Sequence, residues 1–125
     1  MTYRLLSADL VILIHDAVLN HGELRGLAQD KSLEGALGRV DNRLMYGMVD
    51  DVFDLAAAYA AAISQGRCFN DGNKRTAHQS MDVCLDLNGV EIDWAFEDIG
   101  QTIIRLAQGH MTEEEMADWL RSKTS

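Results

Sequence analysis

Apolar residues recur every three or four positions along most of the chain, which is the spacing of an amphipathic helix. The first run follows Ser7, a residue type that caps helix N-termini well, and Gly22 ends it. A second run begins at Asp30 or Ser32, and a third, rich in alanine, spans about residues 49–64. The apolar faces predicted for these helices are Leu10, Leu13, Ile14, Ala17 and Val18; Leu33, Ala36, Leu37, Val40 and Leu44; and Val52, Leu55, Ala56, Tyr59, Ala60 and Ile63.

Three more helices are predicted in the second half of the chain. The fourth spans residues 74–88 and ends at Asn88-Gly89, while the last begins at Thr112 with Glu115 completing a capping box. The pattern therefore predicts an all-α fold, a compact single domain of six helices over residues 1–125, with a marginal hairpin at most as β-structure. The buried residues predicted for these helices are Ala77, Met81, Val83, Cys84, Leu85 and Leu87; Phe96, Ile99, Ile103 and Leu106; and Met116, Trp119 and Leu120.

Composition narrows the class of protein without fixing its function. The formal net charge of −9 argues against non-specific nucleic-acid binding, which needs Lys and Arg to neutralise phosphates. Cys68 and Cys84 do not have metal-ligand spacing, and we expect both to be reduced thiols. No apolar run approaches the roughly 18 residues of a membrane span, and the N-terminus lacks the plan of a signal peptide. We therefore expect a cytoplasmic protein that binds neither nucleic acid nor membrane directly.

The segment that carries candidate chemistry is R-C-F-N-D-G-N-K-R, residues 67–75, which leads directly into the fourth helix. A loop with Gly72 brings backbone N–H groups close to an oxyanion, and the helix start adds unpaired donors and a positive dipole end. Lys74 and Arg75 add full charges, Asn73 adds an amide donor, and Asp71 adds a carboxylate suited to a phosphate-bound Mg²⁺. Spacing alone also fits an ordinary solvated loop before a helix. The segment is not a P-loop, because the G-x-x-x-x-G-K-[ST] pattern is absent.

The same segment resembles the signature of the Fic superfamily, H-x-F-x-[DE]-[AG]-N-[GK]-R. Lysine at position 74, where most Fic proteins have glycine, is typical of the Doc (death-on-curing) toxin branch, and Thr76-Ala77 also fits that branch. Residues 14–40 resemble the Doc N-terminal half in order and spacing. The matching signature positions are Phe69, Asp71, Gly72, Asn73, Lys74 and Arg75.

The resemblance implies a Fic/Doc-like fold with the signature loop, residues 67–73, at the N-terminus of a central helix. It implies a kinase-like protein of a toxin–antitoxin pair that transfers the γ-phosphate of ATP to a threonine of elongation factor Tu and so arrests translation. Asp71 would hold Mg²⁺, and Gly72, Asn73, Lys74 and Arg75 would bind the phosphates. The implied partner is an antitoxin whose disordered C-terminal segment folds into a groove near the signature loop.

Arg67 is the one departure from the signature, because the family has its general-base histidine there. Arginine stays protonated and has no acceptor lone pair, so it cannot take a proton from the attacking hydroxyl. The loop contains no replacement: His15 is predicted on the polar side of the first helix, and His78 on a face of the fourth. We therefore expect this chain to be inactive or weak as an enzyme.

Three explanations of Arg67 are open: an inactivating substitution, a degenerate natural relative, or a natural variant with altered chemistry. We adopt the first as the working interpretation, because every other signature position is intact. Two other functions are also open. One is an AMP-transferring Fic enzyme, against which Lys74 argues, and the other is a non-catalytic module that binds nucleotide or antitoxin, which Arg67 favours.

Overall fold

The computed structural model describes residues 2–92 and 96–123, and in this part of the chain it contains six helices. The predicted all-α fold is confirmed, and the only β-structure among the described residues is one isolated antiparallel bridge between Leu27 and Phe69. No helix of the described part is long and apolar enough to cross a membrane. The helices are α1 (Ala8–Val18), α2 (Leu33–Met45), α3 (Val52–Gly66), α4 (Asn73–Leu87), α5 (Phe96–Ala107) and α6 (Glu113–Ser122).

Side-chain caps set where several helices begin. Ser7 accepts a hydrogen bond from the Leu10 amide at 3.1 Å, and Ser32 accepts one from the Gly35 amide at 2.9 Å. Both bonds satisfy backbone donors that the first helical turn leaves unpaired. The predicted capping box of Thr112 and Glu115 is also present.

The third helix begins later than the pattern predicts. Its expected start near residue 49 is wrong, because the Asp51 carboxylate accepts from the Asp54 amide at 3.0 Å and makes Val52 the first helical residue. Acidic side chains are favourable at this end of a helix, since they face its positive dipole.

Helix α3 is the centre of the packing. It contacts α2, α4, α5 and α6, and every residue from 55 to 64 along it is buried. Its alanines present little side-chain volume, so neighbouring helices can approach it from several sides. Tyr59 reaches the N-terminal segment, where its hydroxyl accepts from the Leu6 amide at 2.9 Å. Packing around α3 therefore fixes the end of α3 and the start of α4.

Several positions lie differently from their predicted faces. Leu13 and Ala17 are exposed, because the inner face of α1 is formed by Val11, Ile14 and His15. Leu87 is exposed because α4 ends there and the chain turns. His15 was expected on the polar side of α1 but is 1% exposed. The predicted burial of Phe96 concerns a side chain outside the described part of the chain.

Candidate functional site

The signature loop starts with a left-handed residue. Arg67 has φ 49° and ψ 45°, and it is the one non-glycine residue of the described chain with a positive φ. Such a residue commonly ends a helix by turning the chain away from the helix axis, although glycine is the usual choice. The side chain of Arg67 is exposed.

Backbone hydrogen bonds hold the middle of the loop against residues 26–28. The Ala28 amide donates to the Cys68 carbonyl at 2.7 Å, and the Asn70 amide donates to the Gly26 carbonyl at 3.1 Å. Phe69, between these two bonds, is 2% exposed and is part of the hydrophobic core. Phe69 therefore anchors the loop in the hydrophobic core.

Asn73 and Gly72 complete the turn into α4. Asn73 Oδ1 accepts from the Phe69 amide at 3.0 Å, and its Nδ2 donates to the Phe69 carbonyl at 2.9 Å. Gly72 adopts φ 78°, and a Cβ there would lie 3.3 Å from Cδ2 of Leu19, so both conformation and space favour glycine. Thr76 bonds the Gly72 carbonyl through its amide at 2.9 Å and its hydroxyl at 2.7 Å.

Asp71 is held by the N-terminal third of the chain. His15 Nε2 lies 2.7 Å from the Asp71 carbonyl oxygen, and the Leu24 amide donates to Asp71 Oδ2 at 2.7 Å. The His15 ring also stacks on Phe69, with the ring centroids 3.8 Å apart and the planes 9° from parallel. Contacts with the N-terminal third of the chain therefore hold the loop in place.

Two cations share a cavity at the start of α4. Arg67, Asn73 and Lys74 line a cavity of about 300 Å³, and no carboxylate is among its lining residues in the described chain. Arg67 and Lys74 are exposed and make no ion pair with any described residue. The remaining lining residues are Ser64, Ala107 and Gln108.

The backbone adds to this positive character. Gly72 gives α4 no side-chain cap, and the first turn of the helix carries no acidic residue. No side chain of the first turn therefore pairs with the N-terminal amides or offsets the positive end of the helix dipole. This arrangement favours an anion.

Arg75, by contrast, points to the N-terminal segment. Its Nε donates to the Val18 carbonyl at 3.1 Å, and its guanidinium forms an ion pair with Glu23. The hydrogen bond from Arg75 holds the pKa of Glu23 below its ordinary value. Thus the structure brings Arg67, Asn73 and Lys74 to one cavity, while Arg75 and Asp71 are held from the other side of the loop.

The donor set for a metal is small. No group of three or more His, Cys, Asp or Glu side chains converges as a metal site anywhere in the described residues. Oδ2 of Asp71 is bonded to the Leu24 amide, and Oδ1 makes no hydrogen bond within that part of the chain. A Mg²⁺ ion here would take Asp71 as its protein carboxylate, with phosphate oxygens and water completing the shell, which is how proteins commonly bind this ion.

Sequence reasoning missed His15, Glu23 and Leu24 as residues that hold the site. The one signal in the sequence for these residues was the resemblance of residues 14–40 to the N-terminal half of Doc proteins. That resemblance indicated the family but gave the three residues no role. Spacing gave no such signal, since His15 and Asp71 are 56 positions apart.

Two comparisons with known proteins show the family of the chain. The family model described as "Fic/DOC family" matches residues 5–85, which include the whole signature loop. The chain is also 34% identical over 119 residues to a protein named "Protein kinase doc" from Escherichia phage P1. That alignment covers 94% of each chain, so it extends beyond the residues that the family model matches.

Proposed function

The chain belongs to the Fic/DOC family, and we propose that it is a Doc-type toxin of a toxin–antitoxin pair with a site for ATP at the signature loop. The observation that carries the proposal is the cavity where Arg67 and Lys74 meet the uncapped start of α4. Full positive charges, unpaired backbone donors and the absence of a lining carboxylate are what a phosphate group requires. We place this activity in the cytoplasm.

The residues that line the cavity fit a phosphate group, and Asp71, next to Gly72 in the loop, is the carboxylate available to a phosphate-bound Mg²⁺. Lys74 and the first amides of α4 would bind phosphate oxygens, with Gly72 allowing close approach of the backbone. Asn73 would act mainly by fixing the loop, since its side chain already bonds both main-chain groups of Phe69. Bound Mg²⁺, held by Asp71, would offset negative charge on the phosphates. Catalysis of phosphoryl transfer rests on such positioning and charge stabilisation.

We assign the chemistry as transfer of the γ-phosphate to a protein hydroxyl, that is, protein-threonine kinase activity. Two features support this choice over AMP transfer: Lys74 in place of glycine, and similarity to a relative named a protein kinase. The implied target is a threonine of elongation factor Tu, whose modification would inhibit translation.

Arg67 sets the expected level of activity. It cannot act as the general base, and His15 cannot replace it, because that ring is buried and its Nε2 already bonds the Asp71 carbonyl. The same observation supports a second candidate function, a non-catalytic module that binds nucleotide or antitoxin. Under either function the protein binds phosphate through Lys74 and has little or no turnover.

The antitoxin proposal draws on exposed apolar residues next to the loop. Leu24 and Leu27 are 64% and 48% exposed, and both belong to the segment that is hydrogen-bonded to the signature loop. A segment that folds on binding could cover them and the loop together. Truncation of a co-encoded partner's C-terminal segment should abolish binding, and unchanged affinity would refute this part of the proposal.

The deciding experiment follows the label of ATP. Purified protein is incubated with elongation factor Tu and Mg²⁺, using γ-labelled ATP in one sample and α-labelled ATP in another. Label transferred only from the γ position supports the kinase assignment, and label from the α position would show an AMP transferase. Tight ATP binding with no transfer in either sample, also after Arg67→His restores the histidine of the signature, would identify the binding module.

A further inference from the structure

His15 is a fully buried histidine that the proposed chemistry does not use. It lies on the inner face of α1 between residues that are otherwise apolar, such as Val11 and Ile14. An apolar side chain there would supply the same burial without a polar group to satisfy. Because burying a polar ring costs free energy unless it is hydrogen-bonded, the partners of His15 indicate its task.

Two of those partners, Phe69 and Asp71, are in the signature loop, and the third, Asp16, is in α1. Nε2 faces the Asp71 carbonyl, and since a carbonyl only accepts hydrogen bonds, Nε2 must carry the hydrogen. Nδ1 faces the Asp16 carboxylate at 3.4 Å on the opposite side of the ring. The face of the ring lies flat against Phe69. One side chain thus fixes both a ring and a main-chain carbonyl of the loop.

This contact has no substitute within the loop. Asn73 bonds the main chain of Phe69, and Gly26 and Ala28 bond that of Asn70 and Cys68. The carbonyl of Asp71 has His15 as its partner, and the Asp71 carboxylate is bonded to the Leu24 amide. Loss of the His15 bond would let this peptide rotate, and with it the amide of Gly72 at the start of α4.

We propose that His15 is a positioning residue: its Nε2–H and its stacked ring hold Phe69 and Asp71 in the geometry that binds Mg²⁺-ATP. The nucleotide part rests on the proposed function. The part that concerns loop order rests on the contacts alone. His15 therefore acts on ligand affinity through the loop and does not touch the reacting atoms.

The test uses variants of His15 that differ in whether the side chain can reach the Asp71 carbonyl with a hydrogen-bond donor. In His15→Gln the side-chain amide can occupy the place of Nε2 and donate to the Asp71 carbonyl, whereas in His15→Asn it is one carbon too short. His15→Phe keeps a ring against Phe69 and removes the donor. Val11→Ala, a buried change on the same helix, controls for general loss of stability, and exposed His110→Gln controls for loss of a histidine.

Affinity for Mg²⁺-ATP is measured by calorimetry, and amide exchange of residues 69–72 by NMR in the absence of ligand. We expect the Asn and Phe variants to bind Mg²⁺-ATP about tenfold more weakly. The loop would adopt its binding geometry for only a fraction of the time, and the apparent affinity falls in proportion to that fraction. We expect the Gln variant to stay within about twofold of the starting protein. The Val11→Ala variant should melt at a lower temperature with its ATP affinity unchanged.

Equal ATP affinity of the Gln, Asn and Phe variants would overturn the proposal and make His15 an ordinary core residue. If the unchanged protein fails to bind Mg²⁺-ATP, the proposed nucleotide site is wrong, and the exchange measurement decides about His15 by itself. Faster exchange at residues 69–72 in the Asn and Phe variants, with protection kept in the Gln variant, would then support positioning. Unaltered exchange in all three would refute it.

Discussion

Asn73 bonds both main-chain groups of Phe69, accepting from the amide at 3.0 Å and donating to the carbonyl at 2.9 Å. The first residue of α4 thereby closes the signature loop on itself. Because Phe69 is buried, its main-chain groups would lose these partners where water cannot fully replace them. Asn73 is thus a residue of loop structure as well as a candidate phosphate ligand.

Replacement of Asn73 should therefore lower stability before any ligand is considered. Asn73→Ala removes both bonds, and we expect a loss of about 1–3 kcal/mol in the free energy of unfolding. Asn73→Asp can still accept from the amide but places a charge beside the Phe69 carbonyl, so it should not rescue the loss. Urea unfolding followed by circular dichroism measures both. A loss in Asn73→Ala no larger than that of an exposed alanine substitution would contradict the structural role.

Substitution of Lys74 should weaken nucleotide binding more than substitution of Arg75 does. Lys74 lines the cavity and has no ion pair in the described chain, so Lys74→Ala should weaken ATP binding by about 1–3 kcal/mol. Arg75 is already held by Glu23 and Val18, so Arg75→Ala should affect ATP less and loosen the N-terminal segment more. Lys123→Ala removes a lysine next to α6, a helix that does not contact α4, and serves as the control in calorimetry. If Lys74→Ala leaves the affinity for ATP unchanged, the Lys74 side chain does not contact the nucleotide.

The fold was predictable where its causes are local. Ser7, Ser32 and the Thr112–Glu115 pair cap their own helices within three residues, so sequence alone indicates those starts. Apolar spacing likewise identified six helices. Spacing failed at His15, whose burial depends on a loop far away in the chain.

The site was predictable in its residue types and less so in its geometry. The signature identified the loop because a phosphate site needs charge and backbone donors together. It could not show that Arg75 turns to Glu23, a residue 52 positions away, because that contact depends on how α1 packs on α4. Long-range packing, which no local pattern encodes, decides which side of the loop each charge faces.

An ion pair at the N-terminus of α3 should make the stability of the protein depend on pH. Arg121 donates to both oxygens of Asp51, at 2.9 and 3.0 Å, and this holds the pKa of Asp51 below its ordinary value of 3.8. Because folding lowers the pKa of this carboxyl, its ionised form stabilises the fold at pH values above 3.8. That contribution is lost as the pH falls below 3.8. Asp51→Asn keeps the cap on α3 and removes the charge.

Chemical unfolding of Asp51→Asn and the unchanged protein measures this contribution. The partly exposed pair should give a difference of about 0.5–1 kcal/mol near neutral pH, and the difference should shrink towards about pH 3 and in high salt. A difference that does not depend on pH would show that the ion pair is not its cause.

The two cysteines should be unreactive in the folded protein. Cys68 and Cys84 are both free thiols with no more than 1% exposure. Burial raises the pKa of Cys84 to about 12 and also raises that of Cys68, so almost no thiolate is present near neutral pH. We expect a thiol reagent such as DTNB to react slowly with the native protein and rapidly with both cysteines in denaturant. Rapid reaction of one thiol in the native protein would contradict the burial of that residue.

The position of Arg67 allows the missing base to be tested without disturbing the loop. Its left-handed conformation is one that His and Asn adopt more readily than most residues, so both Arg67→His and Arg67→Asn should fold. Both substitutions remove the positive charge, and only histidine can take a proton at neutral pH. The pair therefore separates loss of charge from gain of a base.

We expect Arg67→His to transfer the γ-phosphate to elongation factor Tu and to arrest growth, with a rate about 10²–10⁴-fold above that of the Arg and Asn forms. ATP affinity should be highest in the Arg form, because Arg67 adds a charge to the cavity that it shares with Lys74. Labelled ATP measures transfer, and growth after induction without antitoxin measures toxicity. Normal growth with well-expressed Arg67→His would mark the chain as a binding module, since the only part missing from the signature would then have been restored without effect. Growth arrest by the Arg form would mean that proton removal in this protein does not depend on residue 67.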